Sequence, residues 1–362
     1  MKLGASFLLA ATLTAAPVAA CAQATDAAAW KFAVSGDSRN CGDVVMPAIA
    51  RGVHADEARF YLHLGDFRAL YDVDEDILAQ EPYRSGKRPG ITTYNAMAWD
   101  DFILHQLLPF GSTPVYLGTG NHELVPPHTR EQYLIQFADW INTPELQTQR
   151  LNDDGFDHKI HAYYHFLKGP VDFILLDNAS PDQFDADQMK WLKGVLDRDL
   201  NSQQVKSVLL GMHEALPQSV GSIHAMDDSA QGKESGAEVY KLLLNLRDNG
   251  HKNVYVLASH SHYFLEHAFE TDELRKLGKP LDGWIVGTAG ANRYLLPDAA
   301  LENPTNREHV YGYLLGTVAP DATISFQYRE LGLKELQEAN SGTFTDEFVA
   351  TCFNGNGAVR KK

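Results

Sequence analysis

Positive charge is scarce in this sequence. Its 362 residues carry 31 lysines and arginines against 47 aspartates and glutamates, which gives a formal net charge of −16. Nucleic acids and anionic lipid surfaces are bound mainly through basic residues, so an acidic surface argues against both. We therefore expect no nucleic-acid partner.

Four further features are absent. Beyond its N-terminal segment the sequence has no apolar run long enough to cross a bilayer, so no transmembrane span is expected. It has no internal repeat and no low-complexity linker, and it lacks the His-Glu-x-x-His pattern of helical zinc peptidase sites. What is present, 44% hydrophobic and 22% charged residues, is ordinary for a globular protein.

The N-terminus has the pattern of a secretory signal peptide, predicted over residues 1–24. Lys2 precedes an apolar stretch that is followed by Pro17 and small residues, and the stretch is too short for a membrane span. Two endings compete: cleavage before Thr25, or a lipoprotein-type ending before Cys21, which would then carry a lipid anchor. Either ending predicts export, to the periplasm of a bacterium or to its outer membrane as an anchored lipoprotein.

Either ending leaves two other cysteines, Cys41 and Cys352. In an oxidising compartment a disulfide between them would tie the C-terminal tail to the loop that contains Cys41. The alternative is a pair of buried free thiols.

Five short polar segments follow strand-like runs of β-branched or aliphatic residues. Because side chains at strand ends are held on a rigid scaffold, segments distant in sequence can converge there. Together they offer carboxylate, amide and imidazole ligands, a set that suits two metal ions acting on phosphate esters. The segments are Gly36-Asp37-Ser38-Arg39, Gly65-Asp66, Gly120-Asn121-His122-Glu123, Gly211-Met212-His213-Glu214 and Ser259-His260-Ser261-His262.

Each polar segment has a predicted place in a two-metal site. Two cations about 3.5–4 Å apart can clamp the attacking and leaving oxygens of a phosphoryl transfer if a carboxylate bridges them. Asp66 is the predicted bridge, and Asp37 and His262 would complete the first site with it. The second site would be completed by Asn121, His213 and His260. Because all of these ligands must share one site, residues 25–362 are predicted to form a single domain.

His122 directly follows the predicted ligand Asn121. An alkoxide is a poor leaving group, so an imidazolium aimed at the leaving oxygen would lower the barrier. His122 is therefore predicted to be the catalytic proton donor and not a metal ligand.

The order of these segments resembles the calcineurin-like metallophosphoesterase superfamily. The family pattern is an Asp segment, Gly-Asp, Gly-Asn-His-Asp/Glu, a lone His and Gly-His-x-His, and the match covers Asp37 through His262. The resemblance implies an α/β fold, a four-layer α/β/β/α sandwich with two mixed central β-sheets. It also implies a dinuclear Fe, Mn or Zn centre that uses the ligands named above.

The sequence departs from the family at Arg39, where the family has a metal-ligating His. A guanidinium cannot bind a cation. Purple acid phosphatases, a branch of the superfamily, replace this ligand by a Tyr three residues after the second Asp, where this sequence has Ala69. The first site is therefore expected to be one ligand short. Arg39 is predicted to hold a substrate phosphate oxygen or, alternatively, to form a structural ion pair.

Two other polar positions are interpreted without a role in metal binding. The run Asp72–Asp76 is predicted to lie on a solvated face. His63 lies in an aliphatic strand and is expected in the core or beside the ligands. The segment Tyr71–Gly90 is expected to form a surface loop that shapes access to the site.

The sequence thus predicts an exported enzyme, a metal-dependent phosphoesterase in which a metal-activated hydroxide attacks the phosphorus of a small phosphorylated substrate. Net negative charge does not exclude such substrates, because bound metal ions dominate the local field. A monoesterase is favoured over a diesterase of the same fold, since an arginine beside the site suits a dianionic terminal phosphate. The alternative is a tethered, metal-poor binding protein that has lost turnover; Arg39 supports it, and the retained His122 and six ligands oppose it.

Overall fold

Two β-sheets form the centre of the structure. The computed structural model describes residues 28–355 apart from Pro82, residues 180–182 and residues 222–223, so the predicted signal peptide and Cys21 lie outside the described residues. Within those residues the strands are β1 (Trp30–Ser35), β2 (Ala58–His63), β3 (Val115–Leu117), β4 (Tyr164–Lys168), β5 (Val171–Leu175), β6 (Ser207–Gly211), β7 (Asn253–Ala258), β8 (Phe264–Glu266), β9 (Asp282–Val286), β10 (Tyr311–Val318) and β11 (Ile324–Leu331).

Helices connect most of these strands. Those of the described part of the chain are α1 (Gly42–Ala55), α2 (Glu75–Ala79), α3 (Ile91–Phe102), α4 (Arg130–Gln136), α5 (Ala138–Ile141), α6 (Pro144–Asp153), α7 (Ala186–Asn201), α8 (Ala230–Asp248), α9 (Asp272–Arg275), α10 (Leu333–Ala339) and α11 (Asp346–Gly355). None of them is both long and apolar enough to cross a membrane.

Both sheets are mixed. The first has the order β11-β10-β1-β2-β3, with β1, β2 and β3 parallel and β10 and β11 antiparallel to their neighbours. The second has the order β4-β5-β6-β7-β9-β8, in which β5, β6, β7 and β9 are parallel and the edge strands β4 and β8 are antiparallel. In each sheet the carboxyl ends of the parallel strands therefore meet at one edge, where ligands of α/β proteins commonly bind.

Alternating side chains of the strands explain the layers. In β5, Phe173 belongs to the core between the sheets, where its ring lies 5.1 Å from those of Phe32 and Phe60 on the first sheet. The next residue, Ile174, belongs to a second core that includes Leu192 of α7 and Leu243 of α8. On the other outer face, α1 packs on β2 and β10. The predicted four-layer α/β/β/α sandwich with two mixed sheets is confirmed.

The disulfide expected between Cys41 and Cys352 is present, with 6.0 Å between the two Cα atoms. Tyr311 donates a hydrogen bond to the carbonyl oxygen of Cys352 at 3.3 Å. The bridge therefore attaches α11 to the loop that leads from Asp37 into α1.

Candidate metal centre

The predicted ligands of the second metal site converge on one point. His213 follows β6, and its Nε2 lies 3.3 Å from Oδ1 of Asp66, which follows β2. The same nitrogen lies 3.0 Å from Oδ1 of Asn121 and 3.0 Å from Nδ1 of His260. Ligand atoms of Asp66, His213 and His260 all lie within 4.8 Å of one another. Four side chains from both sheets thus surround a single position.

Asp37 and His262, the remaining predicted ligands, lie beside this group. His262 Nε2 is 3.2 Å from Asp37 Oδ1. The other carboxylate oxygen of Asp37 accepts hydrogen bonds from the backbone N–H of His260, at 2.7 Å, and from the hydroxyl of Ser259. The segment that carries both histidines is therefore fixed directly to the loop after β1.

The backbone of the ligand loops adopts conformations that favour this convergence. Asp37, Asp66 and His260 have φ values of 61°, 61° and 62°, in the left-handed region that non-glycine residues seldom adopt. Gly65 and Gly120 let two of the loops touch. A Cβ on Gly65 would lie 2.3 Å from the backbone nitrogen of Gly120, so a larger residue would separate the two loops. Steric contact between the two loops therefore explains why Gly65 and Gly120 have no side chain.

Backbone carbonyls contact Nδ1 of two of the histidines and so leave Nε2 as the nitrogen that can bind a metal ion. Nδ1 of His213 lies 2.8 Å from the carbonyl oxygen of Leu64, and Nδ1 of His262 lies 2.5 Å from that of Asn292. An Nδ1–H that donates to a carbonyl leaves Nε2 with a free lone pair aimed into the site. His122 is arranged in the same way, with Nδ1 2.5 Å from the carbonyl oxygen of Ala69 and Nε2 3.6 Å from Asp66 Oδ2.

The charges of the second site fit a cation. Burial opposes protonation of His213, but the Asp66 carboxylate prevails and raises the pKa of His213 to about 10, so a cation that binds at Nε2 displaces a proton. Burial and the neighbouring His213 lower the pKa of His260 to about 3. Oδ1 of Asp66 belongs to this group, whereas Oδ2, which is buried and has no hydrogen-bond partner, is turned towards Arg39 and His122. Carboxylate, amide and imidazole donors around one point fit Fe, Mn or Zn.

Arg39 lies where the first metal ion was predicted. Its side chain is buried, with 6% of the residue exposed. Nη2 lies 3.3 Å from Nε2 of His262, and Nε lies 3.8 Å from Oδ2 of Asp66. Nη1 donates to the hydroxyl of Tyr71 at 3.0 Å. As arranged, the residues of the first site therefore do not fit a metal ion, because a guanidinium lies against two of the three predicted ligands, His262 and Asp66.

Glu123 is a residue of the site to which the sequence assigned no role. It is fully buried, and its carboxylate accepts hydrogen bonds from the backbone N–H groups of Asp66 (2.9 Å), Phe67 (2.8 Å) and Gly120 (2.7 Å). Burial beside Asp66 raises the pKa of Glu123 to about 7, and the three donors oppose that rise. Glu123 thus joins the loop that carries Asp66 to the loop that carries Asn121. Its place in Gly-Asn-His-Glu was the signal that could have found it.

Arg68 fixes the same loop from the other side. It is fully buried and forms ion pairs with Asp43, Asp74, Asp76 and Asp101. The prediction that the acidic run from residue 72 to residue 76 lies on a solvated face is wrong for Asp74 and Asp76, because both carboxyl groups are buried against the guanidinium of Arg68. Asp43, Asp101 and His105 are a second group with metal-ligand spacing. Arg68 already pairs with both of its carboxylates, so we interpret it as an ion-pair network.

Aromatic side chains flank the opening of the site. The ring of Tyr71 is 61% exposed and lies 5.1 Å from the ring of His122. The ring of Tyr294 stacks on His262 at 4.0 Å and on His224 at 5.0 Å. Both rings therefore pack on histidines of the site, Tyr71 on His122 and Tyr294 on His262.

Comparison with known proteins identifies the fold. No model of a known protein family matches the sequence, and no curated protein matches it significantly. Among solved structures, a purple acid phosphatase from yellow lupin (Lupinus luteus) seeds matches 92% of this chain with 14% identity and a TM-score of 0.51. This chain covers 57% of that protein, little more than half of its length. A dimetal phosphatase from Danio rerio matches 83% of this chain and 96% of its own, with 14% identity and a TM-score of 0.50.

At these identities the likeness establishes the fold. Together with the two mixed sheets and their order, it shows that the chain has the calcineurin-like metallophosphoesterase fold that the sequence predicted. The candidate site lies at the carboxyl ends of the parallel strands of that fold.

Proposed function

We propose that this chain is a metal-dependent phosphoesterase. The main observation behind the proposal is the convergence of four side chains, those of Asp66, Asn121, His213 and His260. Because Nδ1 of His213 contacts a backbone carbonyl, its Nε2 is the nitrogen that faces the other three. A bound Fe, Mn or Zn ion there would supply Lewis-acid stabilisation of a phosphoryl group and a nucleophile at neutral pH. The phosphatases with the same fold support the reaction class.

His122 is proposed to move the proton of the reaction. Its Nδ1–H donates to the carbonyl oxygen of Ala69, which turns Nε2 towards the site, and the ring acts as the acid when Nε2 also carries a proton. The ring lies between Asp66 and Tyr71 with 5% of the residue exposed, so its Nε2 faces the site. His122 returns to its starting state when solvent reprotonates it.

Arg39 supports a phosphate monoester as the substrate. A guanidinium beside the ligands offers parallel N–H donors and a fixed charge, which match a dianionic terminal phosphate better than a singly charged diester. The diesterase of the same fold remains the alternative within this reaction class, and a comparison of the two esters distinguishes them.

A metal-poor binding protein without turnover is the candidate from another class. The observation that favours it is the buried Arg39 among the predicted ligands of the first site. It predicts well under one tightly held ion per chain, whereas the phosphoesterase predicts at least one.

Export is part of the proposal. The signal-peptide pattern of residues 1–24 carries it. The disulfide between Cys41 and Cys352 supports it, because such bridges persist in oxidising compartments such as the periplasm. Mass spectrometry of the N-terminus after expression in a bacterium would distinguish cleavage before Thr25 from lipidation of Cys21.

The experiment that tests the function is hydrolysis of an aryl phosphate monoester and a bis-aryl diester, with and without added Mn²⁺. Replacing His122 by Ala should lower turnover by about 10²–10⁴-fold and leave the metal content unchanged. His161→Ala is the matched control, because His161 is half-buried and pairs with Asp157, outside the ligand group. Wild-type protein that binds metal but hydrolyses neither ester would contradict the function; an active His122→Ala variant would remove only the role of His122.

A further inference from the structure

We propose that the guanidinium of Arg39 takes the place of the first metal ion, so that this chain holds one tightly bound ion where the fold would allow two. The inference rests on the metal site of the proposed function. The retained ion is the one at Asp66, Asn121, His213 and His260.

The position of Arg39 is the first observation. Asp37, Asp66 and His262 are the side chains that would bind a first ion, and Arg39 contacts two of them. Its Nη2 lies 3.3 Å from the lone-pair nitrogen of His262, and its Nε lies 3.8 Å from Asp66 Oδ2. The nitrogen of His262 that would bind an ion therefore faces a cationic side chain.

The second observation is that the surrounding groups hold Arg39 in place. Tyr71 accepts a hydrogen bond from Nη1 at 3.0 Å, and only 6% of Arg39 is exposed. Its carbonyl oxygen accepts from the backbone N–H of Cys41, at 2.9 Å, and Cys41 is covalently attached to Cys352. The backbone of Arg39 thus belongs to a cross-linked loop, and its guanidinium is hydrogen-bonded to Tyr71. Turning the side chain out into solvent would therefore cost free energy.

A guanidinium in this place opposes a metal ion in two ways. All of its nitrogens are donors and none can ligate, so it removes a coordination position that a histidine would supply. Its permanent charge also repels a second cation and neutralises part of the charge of Asp37 and Asp66 that would attract one. Arg39 has no such contact with the ligands on the opposite side of Asp66, which are Asn121, His213 and His260.

The arrangement assigns Arg39 a defined part in the proposed reaction. A fixed positive charge beside Asp66 can stabilise a non-bridging phosphate oxygen, as a metal ion would, but it cannot lower the pKa of a bound water. Arg39 is therefore an electrostatic substitute for the first ion and not a complete one.

Counting metal ions tests the proposal without any measurement of activity. The purified chain is saturated with Mn²⁺, desalted, and analysed by mass spectrometry for bound metal. Wild-type protein should hold about one ion per chain, and Arg39→His, which restores the ligand type that the fold family has at this position, should hold about two. Arg51→His is the matched control, because Arg51 is exposed and pairs with Glu338; it should stay at the wild-type count.

A second measurement needs no variant and so does not depend on folding of Arg39→His. The electron paramagnetic resonance spectrum of Mn²⁺-saturated wild-type protein should be that of isolated ions, not of an exchange-coupled pair. Replacing His262 by Ala should leave the ion count unchanged, whereas replacing His260 by Ala should abolish it.

The outcomes separate this inference from the proposed function. Two ions in the wild-type protein, or a coupled pair in its spectrum, would overturn the inference and leave the phosphoesterase standing. One ion in both wild-type protein and a folded Arg39→His variant would show that Arg39 is not what excludes the second ion. A wild-type protein without any ion would overturn both.

Discussion

Replacing Glu123 by Gln should weaken metal binding although Glu123 is not a ligand. The carboxylate accepts three backbone N–H bonds of 2.7–2.9 Å, two of them at one oxygen. A Gln side chain keeps one acceptor oxygen and turns an NH₂ group towards the donor that remains. Each charge-assisted bond that is lost costs about 1.5–3 kcal/mol.

That loss bears on metal affinity because Glu123 joins the loops that carry Asp66 and Asn121. Substitution of such supporting residues typically lowers metal affinity about 10–100-fold. At about 1.4 kcal/mol per factor of ten, this range corresponds to the loss of one charge-assisted bond. The two magnitudes therefore agree.

Calorimetric titration of metal-free protein with Mn²⁺ measures the affinity directly. Glu145→Gln is the matched control: Glu145 is partly exposed, pairs with Lys168 and accepts from Tyr116, so the same chemical change should leave the affinity unaltered. If the Glu123→Gln variant bound Mn²⁺ as tightly as wild type, the loops would be held by other contacts and our reasoning about Glu123 would be refuted.

Two further predictions concern stability. Replacing Cys41 and Cys352 together by Ser removes a bridge between residues 311 positions apart and should lower the free energy of unfolding in urea by about 2–5 kcal/mol; an unchanged urea midpoint would contradict this. Burial opposes protonation of His165, but Asp172 and Asp153, 2.7 and 2.6 Å away, raise its pKa to about 10. Because the folded pKa lies above the unfolded value, the stabilisation is complete below about pH 6.5 and is lost as the pH rises through about 10. The wild-type unfolding free energy should therefore fall more steeply across that window than that of His165→Gln, and equal slopes would rule out the role.

The resemblance to the metallophosphoesterases predicted the four-layer fold, and short, local patterns predicted where the polar segments lie along the chain. An aliphatic run followed by a glycine and a polar residue describes a buried strand and the turn at its carboxyl end, as in β2 with Asp66 and β6 with His213. Parallel pairing then brings such ends to the same edge of a sheet, whatever the intervening sequence. His63, expected in the core or beside the ligands, is fully buried and hydrogen-bonded to Ser38.

What the sequence could not predict depends on pairings between distant residues. The acidic run at the start of α2 has the composition of a solvated surface. Only the structure shows that two of its carboxyl groups pair with Arg68. Helix α6 was not predicted because Leu146 is its only buried residue, although Thr143 at its N-cap and the following Pro144 were usable signals. Neither the composition nor the periodicity of a segment reveals which distant charge will be its partner.

Arg39 shows both what a local pattern can predict and what it cannot. The residue type alone indicated that the first site lacks a ligand. The sequence left open whether the guanidinium would hold a substrate phosphate oxygen or form a structural ion pair. The structure places it against His262 and Asp66, since the backbone of Asp37 turns with a positive φ and the disulfide at Cys41 fixes the far end of the same loop. The departure from the family pattern at Arg39 therefore changes the electrostatics of the site. A mobile ion, whose binding depends on its concentration, is replaced by a charge that is covalently part of the chain.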